Sequence, residues 1–311
     1  GSSSEIQRFQ MQPLGEYVVH RLDNITTPFR YRAVGGDDRT MAWTRLTLVE
    51  PPRIVESEIT LHPPAYTGQQ PRQTEGNMRV LVATRLTARA RTNKPLSAVT
   101  LETNTMGGST AIDLQLDRDQ SGFALKGDQQ RWTILQSGYY GFRLVDQDGL
   151  DVGIFNQGEV TAVRDLPPTV SLRRPAADLS VTPTARLPLE AIVKDDLAIR
   201  QVALRFDLST AADQPQRVIS LWEGPDEIEA GADPVERDDG VQTTVEFVWD
   251  LTELPAMRPG EWIDFHVTAR DYKSQAGESV VRRITFISPE ELAERIGQRQ
   301  SELLTEIAEI V

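Results

Sequence analysis

Apolar and polar residues alternate with a period of two along most of this chain. The pattern is clearest in RVLVATRLTARA (79–90), SAVTLET (97–103), RQVALRFDL (200–208), TTVEFVWDL (243–251) and EWIDFHVTA (261–269). Successive side chains of a strand point to opposite faces, so alternation rich in Val, Thr, Phe and Trp predicts half-buried antiparallel strands. Helical spacing is absent until Leu292, Ile296, Leu303, Ile307 and Ile310, which follow Ser288-Pro289-Glu290-Glu291. That tetrapeptide is a capping box with proline at the first helical position, and it predicts a helix. The apolar stripe predicts that the helix continues in a longer parent as a coiled coil and supports self-association, with Arg299 and Gln300 interrupting the seam.

An internal repeat organises the strands. Residues 28–52, 139–168 and 261–288 share one order: an aromatic or aliphatic strand, an acidic or glycine-bearing turn, and a second strand. Each reads as the last hairpin of a sandwich, and the spacing of roughly 110–125 residues matches one immunoglobulin-like domain per repeat. Pro51-Pro52 and Pro167-Pro168 each follow a closing strand. Proline cannot donate to a sheet ladder, so such pairs mark joints.

The predicted fold is all-β: tandem immunoglobulin-like or fibronectin-III-like antiparallel β-sandwiches with a short C-terminal α-helix. Residues 1–50 are expected to be the closing strands of a truncated domain, 51–166 and 167–287 the two sandwiches, and 288–311 the helix. The acidic stretch 223–240 is expected to be a solvated, mobile loop.

Composition narrows the function. The 311 residues carry a net charge of -13, which leaves no basic footprint for nucleic acid or for an anionic membrane surface. The absence of cysteine excludes disulfides and thiolate metal sites. No run of about 18 apolar residues occurs, so a membrane anchor is expected only in segments outside this fragment. The G-x-S-x-G, H-E-x-x-H, P-loop and dinucleotide-binding patterns are missing, and the reading is non-catalytic, without a cofactor.

The candidate chemistry is acidic. VDQDGLD places Asp146, Asp148 and Asp151 within six residues around Gly149. An EF-hand needs glycine at position 6 and glutamate at 12, whereas here the glycine is fourth from Asp146 and position 12 is Gln157. The simpler reading is a hairpin turn, because Asp-Gly supplies the positive φ a tight bend needs. The alternative is a cadherin-like calcium site at a domain junction, drawing on Asp146, Asp148, Asp151, Asp165, Asp195 and Asp196. The string HPPAYTG (62–68) reads as an edge-strand kink whose Tyr66 either packs on the sandwich or offers a ring to a ligand. His20, His62 and His266 read as sheet-face residues that do not share one metal. Trp43, Trp132, Trp222, Trp249 and Trp262 read mostly as sandwich core.

The order PPRIVESEITLHPPAYTG, then an alternating strand, then VKDDLAIRQVALRF after the next proline pair, then ISPEELAERIGQRQSELLTEI, resembles the tandem Ig-like region of large, uncharacterised bacterial membrane-anchored proteins. The resemblance covers most of residues 28–311. It implies transmembrane helices upstream, several extracytoplasmic Ig-like domains, a long helical region downstream, and no catalytic residues to carry over. The expected role is an extracytoplasmic spacer or scaffold, periplasmic or at the cell surface, that meets a protein or cell-envelope partner. Alternatives are a calcium-stiffened adhesion module and a carbohydrate-binding module using exposed rings such as Tyr66 or Trp222.

Overall fold

The computed structural model describes residues 6–36, 38–125, 132–211, 214–228 and 240–310, with the side chains of 155–157, 303 and 305–310 left aside. The chain divides into two compact units, Gly1–Pro52 and Arg53–Val311.

The first unit contains two small ribbons. Strands β1 (Gln12–Leu14) and β2 (Tyr17–Val19) form one, β3 (Phe29–Tyr31) and β4 (Thr44–Leu46) the other, both antiparallel. Leu14, Tyr17, Val18, Tyr31 and Trp43 are all exposed, so neither ribbon has a buried face. His20 lies just beyond β2, outside any strand, and stacks on Phe9 at 4.6 Å.

The second unit holds two sandwiches in sequence. The first is built from β5 (Ile54–His62), β6 (Arg72–Thr74), β7 (Met78–Leu81), β8 (Arg85–Thr92), β9 (Leu96–Thr105), β10 (Gly108–Asp113), β11 (Gln115–Leu116), β12 (Gly122–Leu125), β13 (Trp132–Thr133), β14 (Gly138–Asp146) and β15 (Asp151–Val163). One sheet runs β10-β9-β14-β15-β7 and the other β11-β12-β8-β5-β6, with β13 also on β8. The only parallel pairing in it, among the described residues, sets β7 beside β15. The alternation of β8 explains the layering: Leu86, Ala88 and Ala90 point inward and Arg85, Arg89 and Arg91 outward. Phe123 and Phe142 meet at 5.2 Å between the sheets. Each such ring stabilises by about 1.5–3 kcal/mol through burial.

The second sandwich repeats this topology with β16 (Thr169–Arg174), β17 (Leu179–Val181), β18 (Arg186–Asp195), β19 (Ile199–Leu208), β20 (Arg217–Glu223), β21 (Val241–Asp250), β22 (Trp262–Asp271), β23 (Ala276–Glu278) and β24 (Arg282–Phe286). One sheet is β16-β18-β21 and the other β17-β24-β22-β19-β20, with β23 on β22 and β17 again parallel to β24. Its core is separate from the first and is centred on Val202, Leu204, Trp249, Ile263, Phe265 and Phe286. The fold is thus all-β, of tandem Ig-like or fibronectin-III-like sandwiches closed by one helix.

The tryptophans are divided differently from the core expectation. Trp132 and Trp249 are buried and Trp222 packs half-buried against the second core, but Trp43 and Trp262 are exposed. Each exposed ring lies under a guanidinium, Arg32 at 4.9 Å and Arg283 at 5.1 Å, which shields its face. His62 is the last residue of β5, paired with Arg85 of β8, with Nε2 3.1 Å from Thr87 Oγ1, and His266 lies in β22.

Helix α1 spans Pro289–Ile310. Its cap is the expected one, with Ser288 Oγ accepting from the Glu291 amide at 3.1 Å. Arg295 fastens the first turns by donating to Glu291 and to Ser180 Oγ of the second sandwich. Ile296 is exposed, while the stripe residues Leu303, Ile307 and Ile310 lie outside the described side chains. Among the described residues no helix is long and apolar enough to cross a membrane.

Candidate functional site at the joint between the sandwiches

Equivalent turns in the two sandwiches differ in charge balance. In the first, the Asp146 amide donates to Leu150 O at 3.2 Å and the Gly149 amide to Asp146 O at 3.1 Å, with Gly149 at φ +80°. Asp146 Oδ1 also accepts from the amides of Asp148 and Leu150. Its Oδ2 accepts from Lys94 Nζ at 2.6 Å, and the same ammonium lies 3.9 Å from Asp148. The lysine hydrogen bond is the main reason the Asp146 carboxyl is held below its ordinary range. Asp146 is sealed from solvent by its own turn and by Lys94, not by depth within a core. Asp151 is likewise bound by Arg143. All three carboxylates of VDQDGLD therefore have local partners, and the stretch is a closed hairpin turn. Replacing Lys94 by methionine is expected to raise the Asp146 pKa and to lower the melting temperature of the first sandwich. Carboxyl NMR titration together with calorimetry checks both.

In the second sandwich Asp271 occupies the place of Asp146. The register makes this explicit, since Leu96 pairs with Asp146 and Ile199 with Asp271. Asp271 Oδ1 accepts from the Gln275 amide at 2.7 Å and Oδ2 from Gln275 Nε2 at 3.0 Å, so the turn geometry recurs. The neighbouring turn between β18 and β19, however, brings Asp195 and Asp196 where the first sandwich has a lysine nearby. Asp195 Oδ2 accepts from the amides of Leu197 and Ala198, at 3.0 and 2.7 Å.

The segment leaving the first sandwich enters this cluster. Asp165 follows the end of β15 and is 6% exposed. Its carbonyl accepts from Gln275 Nε2 at 3.2 Å, and the next amide, Leu166, donates to Asp196 Oδ2 at 3.1 Å. Lys273 Nζ lies 3.6 Å from Asp165 Oδ2 and 5.9 Å from the centroid of the Tyr66 ring.

HPPAYTG supplies the other side of the joint. Residues Ala65–Thr67 form a 3-10 turn ended by Gly68 at φ +65°, a left-handed conformation that favours glycine. A side chain on Gly68 would place its Cβ 2.4 Å from the Ile228 carbonyl oxygen, so the glycine also allows close approach of the second sandwich. Arg200 holds the start of that segment by donating to the Gly224 and Pro225 carbonyls and to Asp226. The expected mobile acidic loop is therefore anchored over 224–228, while its remainder, 229–239, lies outside the described residues.

Burial is the largest influence on the acids. It pushes Asp195 up to about 7, with the Asp196 and Asp271 charges adding and the Leu197 and Ala198 amides opposing. Asp165 rises to about 6, again by burial first. Tyr66 and Lys273 oppose that rise, and Asp196 and Asp271 reinforce it. The Tyr66 hydroxyl is held far above its ordinary range by burial and then by Asp165, Asp271 and Asp196. It lies beside the Asp165 carboxylate without an aligned hydrogen bond. Among the described residues, both Asp165 oxygens, Asp195 Oδ1 and Asp196 Oδ1 are buried without a hydrogen-bond partner.

The candidate calcium set separates into two places. Asp146, Asp148 and Asp151 cap the β14–β15 hairpin, whereas Asp165 lies past the opposite end of β15, as the pairing of Gly138 with Val160 shows. A fully extended strand rises about 3.3 Å per residue, so the length of β15 keeps the groups apart. Asp165, Asp195 and Asp196 do come together, joined by Asp271, Lys273 and Tyr66. Asp271 was legible as the partner of Asp146 in the hairpin repeat; Lys273, Gln275 and Gly68 carried no comparable signal. Among the described residues, no group of three or more His, Asp or Glu side chains is arranged to hold a metal ion.

Tyr66 neither packs into a sandwich core nor stands free, because its ring faces Lys273 and the acids of the joint. With Trp222 half-buried on the second core, both rings considered for a sugar platform are occupied. A groove of about 630 Å³ over the β6-β5-β8-β12 surface is lined by Glu56, Glu58, Glu75 and Asp117 facing Arg89 and Arg91. Its charges are mixed, as on a solvated sheet face, and it is separate from the joint.

No protein-family model and no curated protein matches the sequence. Similar solved structures include the fibronectin(III)-like modules of Clostridium thermocellum CbhA, at 16% identity over 74% of this chain and 94% of that one, TM-score 0.26. The Rst D1-D2 structure matches at 8% identity over 76% and 100%, TM-score 0.27. A Ca2+-stabilized adhesin that helps an Antarctic bacterium bind ice matches at 9% identity over 75% and 49%, TM-score 0.33.

Proposed function

We propose that this chain is a non-catalytic spacer or interaction module, lying outside the cytoplasm, of a larger membrane-anchored bacterial protein. The observation that supports it is the joint. The most distinctive string of the sequence, PPAYTG, is used to seat one sandwich against the next: Gly68 admits the Ile228 backbone and Tyr66 faces the Asp165 linker. A chain that holds consecutive sandwiches in a set relation presents their edges and loops at a defined spacing, which is what a scaffold requires. Compartment and anchor come from the sequence resemblance, and the partner is a protein or envelope component.

Protease protection tests the placement. In cells expressing the tagged full-length protein, externally added protease is expected to cut the module in intact cells or once the outer envelope is opened. Digestion only after the inner membrane is lysed would overturn the extracytoplasmic reading.

A further inference from the structure

We propose that the joint between the two sandwiches is a proton-operated hinge, held closed when Asp165 and Asp195 carry protons beside Asp196 and Asp271, and loosened when Asp165 and Asp195 are ionised. Among the described residues, the charged groups come from the linker and three turns, while the start of β21 meets the same place through the uncharged Gly240. Asp165 is on the linker, Tyr66 on the 3-10 turn of the first sandwich, Asp195 and Asp196 on the β18–β19 turn, and Asp271 and Lys273 on the β22–β23 turn. Among the described residues four carboxylates thus face one ammonium, and like charges from the linker and from the second sandwich oppose each other across the joint.

Unpartnered oxygens carry the argument. Among the described residues, Asp195 Oδ1 and Asp196 Oδ1 are buried without a hydrogen-bond partner, and the buried Asp165 oxygens have only the unaligned Tyr66 hydroxyl and the Lys273 ammonium at 3.6 Å. A buried acceptor without a partner is costly, and an ionised one more so. A carboxyl that takes a proton loses its charge and becomes a donor, so one proton relieves repulsion and allows a hydrogen bond to a neighbouring carboxylate. Tyr66 and Lys273 work the other way by favouring ionised Asp165, but burial and the Asp196 and Asp271 charges outweigh them. Opening the joint would return Asp165 to water and to ordinary acidity. The closed form therefore binds protons more tightly than the open one, and by linkage acid must favour closure.

The first sandwich is the internal contrast. Its equivalent turn is neutralised by the Lys94–Asp146 ion pair and has no such demand for protons. The hinge depends on the geometry of the joint alone, whatever compartment the chain occupies.

Because the chain has no cysteine, spin labels can be placed singly on exposed Ser109 of β10 and Thr244 of β21 after substitution by cysteine. The distance distribution between them is expected to be narrow at about pH 5 and to broaden at about pH 8, either side of the cluster's titration. With Asp165→Asn and Asp195→Asn it should stay narrow at both. Equal widths at both pH values in the unmodified cluster would overturn the hinge. So would narrowing at the higher pH by calcium alone with no response to acid in chelator, which would assign closure to a metal. Where the asparagine variants fold poorly, carboxyl-carbon titration of the unaltered protein decides. Midpoints for Asp165 and Asp195 near the ordinary value of about 3.9 would also overturn it.

Discussion

Replacing Phe265 by alanine is expected to lower the unfolding free energy of the second sandwich by about 3–5 kcal/mol and to leave the first sandwich nearly unchanged. Phe265 is fully buried and contacts Trp249 edge-on at 5.7 Å, while Trp249 in turn meets Phe206 at 4.9 Å. Truncation removes the transferred surface and leaves a cavity that two paired strands on either side cannot collapse into. The second sandwich has its own core, which shares no residue with the first, so the loss should be confined. Urea unfolding followed by residue-resolved NMR should show one transition moved to lower denaturant and one unmoved. A common shift of both would mean that the joint makes the two sandwiches a single cooperative unit.

The second large effect is on pH. Asp195 and Asp165 have folded values raised to about 7 and about 6 from 3.8. Because these pKa values are raised, the folded protein holds protons that the unfolded chain has already released between about pH 4 and pH 7. The unfolding free energy of the second sandwich is therefore expected to be greatest on the acid side of that window. It should fall as pH rises through it, by on the order of 4 kcal/mol from Asp195 and about 3 kcal/mol from Asp165. Below about pH 4 depressed carboxylates of the second sandwich, such as Asp250, reverse the trend, since their stabilising interactions disappear on protonation. Thermal unfolding from about pH 4.5 to pH 8 checks the slope. With Asp165→Asn and Asp195→Asn the slope should flatten, and a melting temperature that rises with pH would contradict the placement of these acids.

Much of the architecture was readable in advance because strand periodicity is a local property. The alternation in 200–208 and 261–269 reappears as β19 and β22 with the expected inward residues. The stretch 79–90, by contrast, is not one strand: a turn at Ala83, φ +72°, divides it into β7 and β8, which lie in different sheets. The Ser288 cap is local too, involving atoms within three residues. The tryptophans were less legible, since alternation says which face a ring occupies but not whether that face is covered. Trp262 alternates correctly with Ile263 and still lies outside, beneath Arg283.

The acidic residues divide along the same line. That VDQDGLD bends at Asp148-Gly149 and that RDYKSQAG is its counterpart follow from turn chemistry, which a few neighbouring residues dictate. Whether such a turn is neutral or charged depends on what the adjacent turn brings to it, and only tertiary pairing decides that. Pairing of β9 with β14 delivers Lys94 to Asp146, while pairing of β19 with β22 delivers two more carboxylates to Asp271. By itself the sequence determined the strands, the turns, the proline joints and the helix start, because each rests on short-range sterics and hydrogen bonding. Only the folded chain determined that Tyr66, Asp165, Asp195, Asp196 and Asp271 meet at one joint. Burial and charge act through space, between residues as far apart along the chain as Tyr66 and Asp271.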